Sequence, residues 1–297
     1  MRHRTGIKFR RVIRVAASLL GFALPVSSVH AVTYAAGLEN SEWHVQSSPL
    51  ECRIWQPVPG FGDGIFSNRA GIGLTFYLKS RNNTLAPGKA KLMAEGAVWK
   101  PMIEPQSIGE VPVVNDPIPL QVPKAYAQQM LASLSQGLMP TISAPEDIAA
   151  GYPRVKVGVS TVNFPEAYNQ YQHCVSQLLP VSFEDIARSA VFYAPGKIKI
   201  TDEVEEYLRL IARYVKADKR ISRIVIDGHT DSSGDKQTNF RVSRERANII
   251  AAFFKKEGIS SSRIRTRYHG DKYPAFGNDT ENDRSRNRRT TIRLDRD

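Results

Sequence analysis

Cysteine is scarce in this sequence of 297 residues, which contains only Cys52 and Cys174. Neither lies in a C-x-x-C or similar spacing, so we expect no zinc site. No apolar run reaches the ~20 residues that a membrane-spanning helix needs. The motifs G-x-S-x-G and H-E-x-x-H, which mark serine hydrolases and zinc proteases, are also missing. These absences count against a polytopic membrane protein and against the common hydrolase classes.

The first 31 residues have the features of a secretory signal peptide. Basic residues without any acid precede an uncharged apolar run at residues 15–26, and a V-x-A sequence ends at Ala31. We predict export to a bacterial periplasm with cleavage near Ala31. The alternative is a retained membrane anchor, for which the apolar run is short. No cysteine lies near the cleavage region, so a lipid anchor is not expected there.

Export bears on the two cysteines, because disulfides persist in oxidising compartments. Two cysteines allow a single intramolecular pair. We therefore predict a disulfide between Cys52 and Cys174, with two buried free thiols as the alternative.

Charge is unevenly distributed along the chain. Residues 32–182 contain 10 basic and 11 acidic residues, whereas residues 183–297 contain 25 basic and 18 acidic residues. A basic half indicates an anionic partner. Nucleic acid is the usual partner of such a surface, but export argues against it. We expect an acidic envelope polymer or anionic lipid headgroups instead.

Residues 32–182 are predicted to be rich in β-strands. Segments 71–79, 90–99 and 154–164 show strand-like patterns of apolar residues, and frequent prolines favour loops and edge strands. One helix is expected from about Pro123 to Gly137. Three tryptophans are expected to fill the core rather than to bind sugar: Trp43, Trp55 and Trp99.

From residue 183 onward the pattern changes to βαβαββ. This order predicts a mixed sheet with helices on one face, so the whole chain is expected to be of the α+β class. Thr201 is expected to cap the first of the two helices, and the second is predicted at residues 241–256. The predicted strands of this half are 190–193, 221–227, 263–268 and 289–295.

Polar residues with complementary charges follow the predicted strand 221–227. Ligand sites in open α/β sheets form where strands end and helices begin. Asp231 suits an ammonium group, and Arg246 suits a carboxylate through its guanidinium fork. A ligand carrying both groups on one carbon, an amino acid centre, would satisfy the two residues together.

Two other interpretations of this segment were weighed. His229, Asp231 and Ser243 could form a metal pair or a hydrolytic triad, but their spacing demonstrates neither. We expect His229 to be a turn residue that satisfies backbone groups. The arginine run at residues 284–289 is either a solvated basic face or part of a binding site.

The sequence resembles the peptidoglycan-binding domain of the outer-membrane protein A (OmpA) family over roughly residues 185–297. The residues that carry this resemblance are, in order, Gly228-His229-Thr230-Asp231, Asn239, Ser243, Arg246, Gly270, Pro274 and the arginine run at residues 284–289. The resemblance implies that Asp231 holds the ammonium, and Arg246 the carboxylate, of diaminopimelate in the peptide stems of the cell wall. The full set of positions it marks for this ligand is Asp231, Arg246, Asn239, Thr230, Ser243 and Arg288. Val242 stands where the family usually has leucine. Asp283 stands where it often has glycine, which puts the placement of Arg284 in doubt.

The first half resembles the N-terminal domain of the MotY family of flagellar-motor proteins. The segments that carry this resemblance are Leu50-Glu51-Cys52-Arg53, Pro59-Gly60-Phe61-Gly62 and Tyr171-Gln172-His173-Cys174-Val175. It implies that residues 32–182 dock on the flagellar basal body and on MotX, and that residues 183–297 bind peptidoglycan.

Taken together, these observations predict a non-catalytic, periplasmic T-ring component that helps to place stator units around the rotor, without cofactor or metal. A general envelope-stabilising protein that binds peptidoglycan is the alternative. A wall-modifying hydrolase with a wall-binding tail is disfavoured, because the histidines of residues 32–182 are only His44 and His173, far apart in sequence.

Overall fold

The computed structural model describes residue 1 and residues 32–82, 85–97, 102–147, 151 and 153–297. The predicted signal peptide, apart from its first residue, lies outside the described residues, and so does Trp99. None of the helices in the described ranges is long and apolar enough to cross a membrane.

The described part of residues 32–182 contains a ten-stranded sheet. Its order is β1-β10-β9-β6-β7-β8-β5-β4-β3-β2, in which only the β1–β10 pair is parallel. The strands are β1 (Val32–Tyr34), β2 (His44–Ser47), β3 (Glu51–Val58), β4 (Gly62–Arg69), β5 (Gly73–Ser80), β6 (Gly88–Gly96), β7 (Gln106–Val113), β8 (Leu120–Val122), β9 (Leu138–Ala144) and β10 (Val155–Gly158). The β-rich character predicted for this half is confirmed.

The strand pattern places one set of alternating side chains in a buried core. Ile54, Phe66 and Phe76 are fully buried on adjacent strands, as expected for strands with one apolar face. Trp43 is buried in the same core, but Trp55 is only half-buried and stacks on the ring of His44. The expectation of a core position is therefore wrong for Trp55, because its neighbours Ile54 and Gln56 take the buried face of β3.

Two helices pack against this sheet, of which only the first was predicted. Helix α1 spans Lys124–Ser135. Helix α2 spans Phe164–Ser176 and was not predicted, whereas the strand predicted at 154–164 is present only in its first part, as β10. Strand β10 ends at Gly158, and Asn163 adopts the left-handed conformation, which interrupts extended backbone.

The predicted disulfide is present and joins β3 to α2. Cys52 and Cys174 are bonded, and both are buried in the core of the first sheet. Helix α2 buries side chains at helical spacing against β2 and β3. The bond therefore fixes α2 on the sheet that it covers.

The second half forms the predicted mixed sheet, but a short helix at Glu281–Asn287, which was not predicted, lies between its last two strands. Its order is β11-β14-β12-β13, with β12–β13 parallel and the other two pairs antiparallel. Its elements are α3 (Phe183–Ile186), β11 (Arg188–Phe192), α4 (Asp202–Ala217), β12 (Ile221–Gly228), α5 (Lys236–Lys256), a 3-10 turn at Ser261–Arg263, β13 (Ile264–Tyr268), α6 (Glu281–Asn287) and β14 (Arg289–Arg296). Helices α4 and α5 share a buried core with β12 and β14, so the α+β class with one helical face is confirmed.

Helix boundaries in this half follow from their caps. The Thr201 hydroxyl accepts a hydrogen bond from the Val204 amide at the start of α4, as predicted. Helix α5 begins at Lys236, five residues earlier than expected, because Asp235 caps it by accepting a bond from the Thr238 amide. Ser243 and Arg246 therefore lie well inside α5 rather than at its free N-terminus.

The connection between the two sheets is packed. Ala70 and Leu179 contribute to the core of the second sheet, and the Leu179 amide donates to the Pro49 carbonyl. Gly71 has a φ of 69°, and a Cβ there would lie 2.0 Å from the Ser182 nitrogen. The boundary between residues 182 and 183 stays a prediction.

Candidate ligand cavity at the carboxyl end of the second sheet

A cavity of about 250 Å³ lies where β12 ends and α5 begins. The side chains around it come from the exits of β11 and β12, from α5, and from α6 and the residue that follows it. Its lining residues are Pro195, Gly196, Thr230, Asp231, Ser233, Gly234, Thr238, Asn239, Val242, Arg246, Glu281 and Arg288. Five of the six predicted site residues are thus brought together, at the end of the sheet where open α/β sheets bind ligands.

Ser243 is the predicted site residue that the cavity does not include. It is fully buried, and its hydroxyl donates to the Phe240 carbonyl and accepts from the Gly270 amide. A Cβ on Gly228 would lie 2.0 Å from the Ser243 carbonyl oxygen, so glycine is required where α5 crosses the end of β12. Ser243 therefore joins α5 to neighbouring backbone and does not line the cavity.

Arg246 is the buried cation of the cavity, with an exposed fraction of 1%. Its Nε and Nη2 donate to the Lys197 carbonyl at 3.0 and 2.8 Å, and its Nη1 donates to the His229 carbonyl at 3.0 Å. Its guanidinium lies 4.4 Å from the centre of the Tyr193 ring. Burial lowers the pKa of Arg246. Three of its five N–H groups are used by these bonds, so two remain for a ligand.

Asp231 forms its ion pair with Arg288 and not with Arg246. Its Oδ2 accepts from Arg288 Nη1 at 2.8 Å, and its Oδ1 accepts from the Ser233 amide at 3.1 Å. Burial disfavours the charged carboxylate, but the hydrogen bonds from Arg288 and Ser233 outweigh it and hold the pKa of Asp231 below its usual value. Asp231 is therefore an anion whose position is set before any ligand arrives.

Arg288 connects three parts of the cavity wall through its hydrogen bonds. Besides Asp231, it donates to Glu281 at 2.7 Å and to the Tyr193 carbonyl at 3.0 Å. With Arg246 opposite, the cavity holds two arginines and two carboxylates, so its formal charge is balanced. A balanced site with separated charges suits a zwitterion better than a simple anion.

Two further predicted residues present unpaired polar atoms. The Thr230 hydroxyl is buried and has no hydrogen-bond partner among the described residues. Asn239 is also buried and donates from Nδ2 to the Gly234 carbonyl at 2.9 Å, which leaves its Oδ1 available as an acceptor. A buried polar atom without a partner costs about 1–3 kcal/mol, so the Thr230 hydroxyl favours occupation of the cavity by a polar ligand.

Asn287 is an important residue that the sequence interpretation passed over. It is fully buried; its Oδ1 accepts from the Ala275 and Phe276 amides, and its Nδ2 donates to the Phe276 and Gly277 carbonyls. Asn278 in the same loop accepts from the Ser232 amide. The only sign of this role in the sequence was that Asn287, a neutral amide, stands within a run of arginines. Asn287 fixes the loop that borders Asp231.

The arginine run 284–289 is not a uniform solvated face. Arg288 lines the cavity, Arg284 donates to the Asn278 carbonyl, and Arg286 lies over the Phe276 ring at 4.6 Å. Arg289 donates to the Tyr273 carbonyl at 3.2 Å. Each of these side chains holds the 273–281 segment or the cavity wall.

His229 lies outside the lining of the cavity. Its ring is buried and stacks on the ring of His269, with centroids 4.9 Å apart, and His269 Nε2 lies 2.9 Å from Asp227. Its backbone carbonyl accepts from Arg246, so His229 does satisfy a buried donor through its main chain. No hydrogen bond joins His229 to Ser243 in the described residues. Nor do these residues contain three His, Cys, Asp or Glu side chains grouped to hold a metal ion.

The buried histidine gives stability a specific pH dependence. Burial, with the charges of Arg289 and His269, lowers the pKa of His229 to about 4, below the value near 6.5 of an unfolded histidine. The unfolded state therefore binds more protons between about pH 6.5 and 4, and the free energy of unfolding should fall as the pH falls through that range. Above about pH 6.5 this group has no effect.

Urea unfolding of the wild type and of His229→Gln at pH 7.5 and pH 5.0 would measure this dependence. The stability advantage of the wild type should shrink at pH 5.0. His173→Gln, at an exposed position of α2, is the matched control and should follow the wild type at both values. Parallel losses in the wild type and His229→Gln would contradict the assignment.

Comparison with known proteins agrees with this architecture. Residues 192–288 match the family model described as the OmpA family, so the second sheet with its cavity is an OmpA-family domain. Residues 34–180 match the model of the MotY N-terminal domain. The sodium-type flagellar protein MotY of Vibrio parahaemolyticus is 31% identical over 266 residues, covering 89% of this chain and 90% of the relative. The chain belongs to the MotY family.

Other relatives match the second half alone. The outer-membrane lipoprotein YfiB of Pseudomonas aeruginosa is 33% identical over 104 residues, which cover 35% of this chain and 61% of YfiB. Among solved structures, the C-terminal domain of Helicobacter pylori MotB covers 37% of this chain and 85% of its own, at 20% identity and a TM-score of 0.34.

Proposed function

We propose that this protein is a non-catalytic, periplasmic component of the flagellar motor that is anchored to peptidoglycan and belongs to its T ring. The observation that carries the proposal is the charge-balanced cavity, in which Asp231 is held ionised and Arg246 retains two unpaired N–H groups. Membership of the MotY family, with the relative named as a flagellar protein, supports the motor assignment.

The ligand proposed for the cavity is the amino acid centre of diaminopimelate in a peptide stem. Its carboxylate would take the two free N–H groups of Arg246, and its ammonium would face the Asp231 carboxylate. Thr230 and Asn239 have the unpaired polar atoms to complete the contacts. Arg288 would act by holding Asp231 in place, since three protein oxygens already accept from its guanidinium.

The absence of catalysis is supported by the positions of the candidate groups. A serine nucleophile needs a base within hydrogen-bond reach, and the Ser243 hydroxyl donates to a backbone carbonyl instead. We therefore assign binding, and no reaction, to the cavity.

The division of labour proposed for the chain follows the two family matches. Residues 32–182 would dock on the basal body and on MotX, and residues 183–297 would bind the wall, so that the protein helps to position stator units around the rotor. Export by cleavage of residues 1–31 near Ala31 would place both halves in the periplasm.

A gene-deletion strain tests the motor assignment. It should assemble flagella of normal number and length but fail to rotate them, because the ring that positions the stators would be incomplete. Electron microscopy and tracking of tethered cells measure the two properties, and re-expression of the wild-type chain should restore rotation. Normal swimming combined with a leaky envelope would favour the general envelope-stabilising role and refute the motor assignment.

A further inference from the structure

The second half exposes large apolar side chains at only one place. The structure describes all of residues 183–297, and the strongly exposed large apolar residues in that range are Phe192, Phe240, Tyr273 and Phe276, with exposed fractions of 58, 50, 63 and 42%. All four are aromatic, and all four lie at the carboxyl end of the parallel strands or in the segments that follow them. Exposed apolar side chains collected at one place mark an interaction site.

Three of these residues lie on segments next to the cavity wall, although their rings do not line the cavity itself. Tyr273 and Phe276 lie in the loop between β13 and α6, which is tied beside Asp231 by the bond from the Ser232 amide to Asn278. Phe240 follows Asn239 on α5, and the start of the same loop passes close to it, since a Cβ on Gly270 would lie 3.4 Å from the Phe240 nitrogen. These three rings are the aromatic rim.

The aromatic rim is held rigidly although it is exposed. Tyr273 packs edge-on against His269 at 5.1 Å, Phe240 against Tyr268 at 6.1 Å, and Arg286 covers one face of Phe276. Asn287 holds the backbone of Phe276 through two hydrogen bonds and donates a third to the Gly277 carbonyl. Rings positioned in this way lose little conformational entropy when a flat ligand packs on them.

We propose that the aromatic rim binds the glycan strand of peptidoglycan by stacking against the C–H faces of its pyranose rings. This inference rests on the proposed function, because the stem peptide in the cavity brings the sugar to the rim. The free amino acid centre of diaminopimelate is separated from the sugar by its own side chain, a γ-linked glutamate, an alanine and a lactyl ether, an extended span of about 20 Å. When this centre occupies the cavity, the sugar that carries the stem can therefore reach the aromatic rim.

Two synthetic ligands separate the contributions of the cavity and the rim. Titration calorimetry with the full mature chain would compare the tripeptide L-alanyl-γ-D-glutamyl-diaminopimelate with the same tripeptide attached to its disaccharide. The wild type should bind the disaccharide form about tenfold more tightly, as expected for two or three stacked rings. Tyr273→Ala/Phe276→Ala should lose most of this preference and keep the affinity for the tripeptide within about twofold.

Three further variants serve as controls for the role of the aromatic rim. Tyr273→Phe/Phe276→Tyr keeps both rings and should keep the preference, whereas Phe240→Ala, outside the loop, should reduce it about threefold. Leu38→Ala, exposed in the first half, should change nothing. Equal binding of both ligands by the wild type would overturn the rim proposal while leaving the cavity assignment intact. Failure of the wild type to bind either ligand would overturn both.

Discussion

Replacing Arg246 with alanine is expected to weaken the binding of purified sacculi by about 30-fold or more. The guanidinium is almost completely buried, and no carboxylate among the described residues is in hydrogen-bond contact with it, so the ligand carboxylate would supply its missing anion. Removing one member of a buried charge pair typically costs ~2–5 kcal/mol, and 2 kcal/mol corresponds to about 30-fold in affinity. Sedimentation with sacculi, over a range of protein concentrations, measures the change.

The geometry of Arg246 also predicts the behaviour of its conservative replacement. Arg246→Lys keeps the charge but has three N–H groups instead of five and no planar fork, so it cannot donate to the Lys197 and His229 carbonyls and also bind a carboxylate through two parallel hydrogen bonds. It should restore only part of the binding. Arg244→Ala removes an exposed arginine from the same helix and should bind like the wild type, which controls for net charge.

Asp231→Asn tests the other end of the proposed clamp. The substitution removes the anion that faces the ligand ammonium and leaves Arg288 with Glu281 as its remaining carboxylate. Affinity should fall by an amount comparable to that of Arg246→Ala, whereas Asp279→Asn, at an exposed position of the neighbouring loop, should have no effect. Wild-type binding by both site variants, with loss of binding on charge reversal of Arg284 and Arg286, would contradict the cavity and favour a basic surface.

Removal of the disulfide is expected to lower the free energy of unfolding of the first sheet by about 5 kcal/mol. The bond closes a loop between positions separated by 122 residues, and in the chain-entropy model a loop of that length contributes about 5 kcal/mol by restricting the unfolded chain. Cys52→Ser/Cys174→Ser avoids leaving a free thiol. Urea unfolding followed by tryptophan fluorescence measures the loss, because Trp43 lies in the same core.

The disulfide variant should keep its wall binding wherever it is folded, because neither cysteine lines the cavity. Its level in the cell should fall, since α2 would be released more easily from the sheet. The wild type treated with a reductant should reproduce the stability of the double variant, which separates the bond from the serine side chains. An unchanged unfolding midpoint in both samples would show that the bond does not stabilise the fold.

Local features of the sequence determined most of the secondary structure and the location of the site. The periodicity after residue 183 and the Thr201 cap predicted the βαβαββ order, because spacing and capping act over only a few residues. The lone cysteine pair predicted the bond between Cys52 and Cys174. The polar segment after the predicted strand 221–227 predicted the place where Asp231 and Arg246 line one cavity.

Pairings between distant segments were decided only by the tertiary structure. Asp231 is bound by Arg288 because β12 pairs with β14 with Gly228 opposite Thr290, which brings two strand ends together from far apart in the chain. The close packing of α5 across Gly228 at the end of β12 likewise turns Ser243 away from the cavity. A hydrogen-bonding side chain takes whichever partner the fold brings within 3 Å, and nothing in its sequence neighbours specifies that partner.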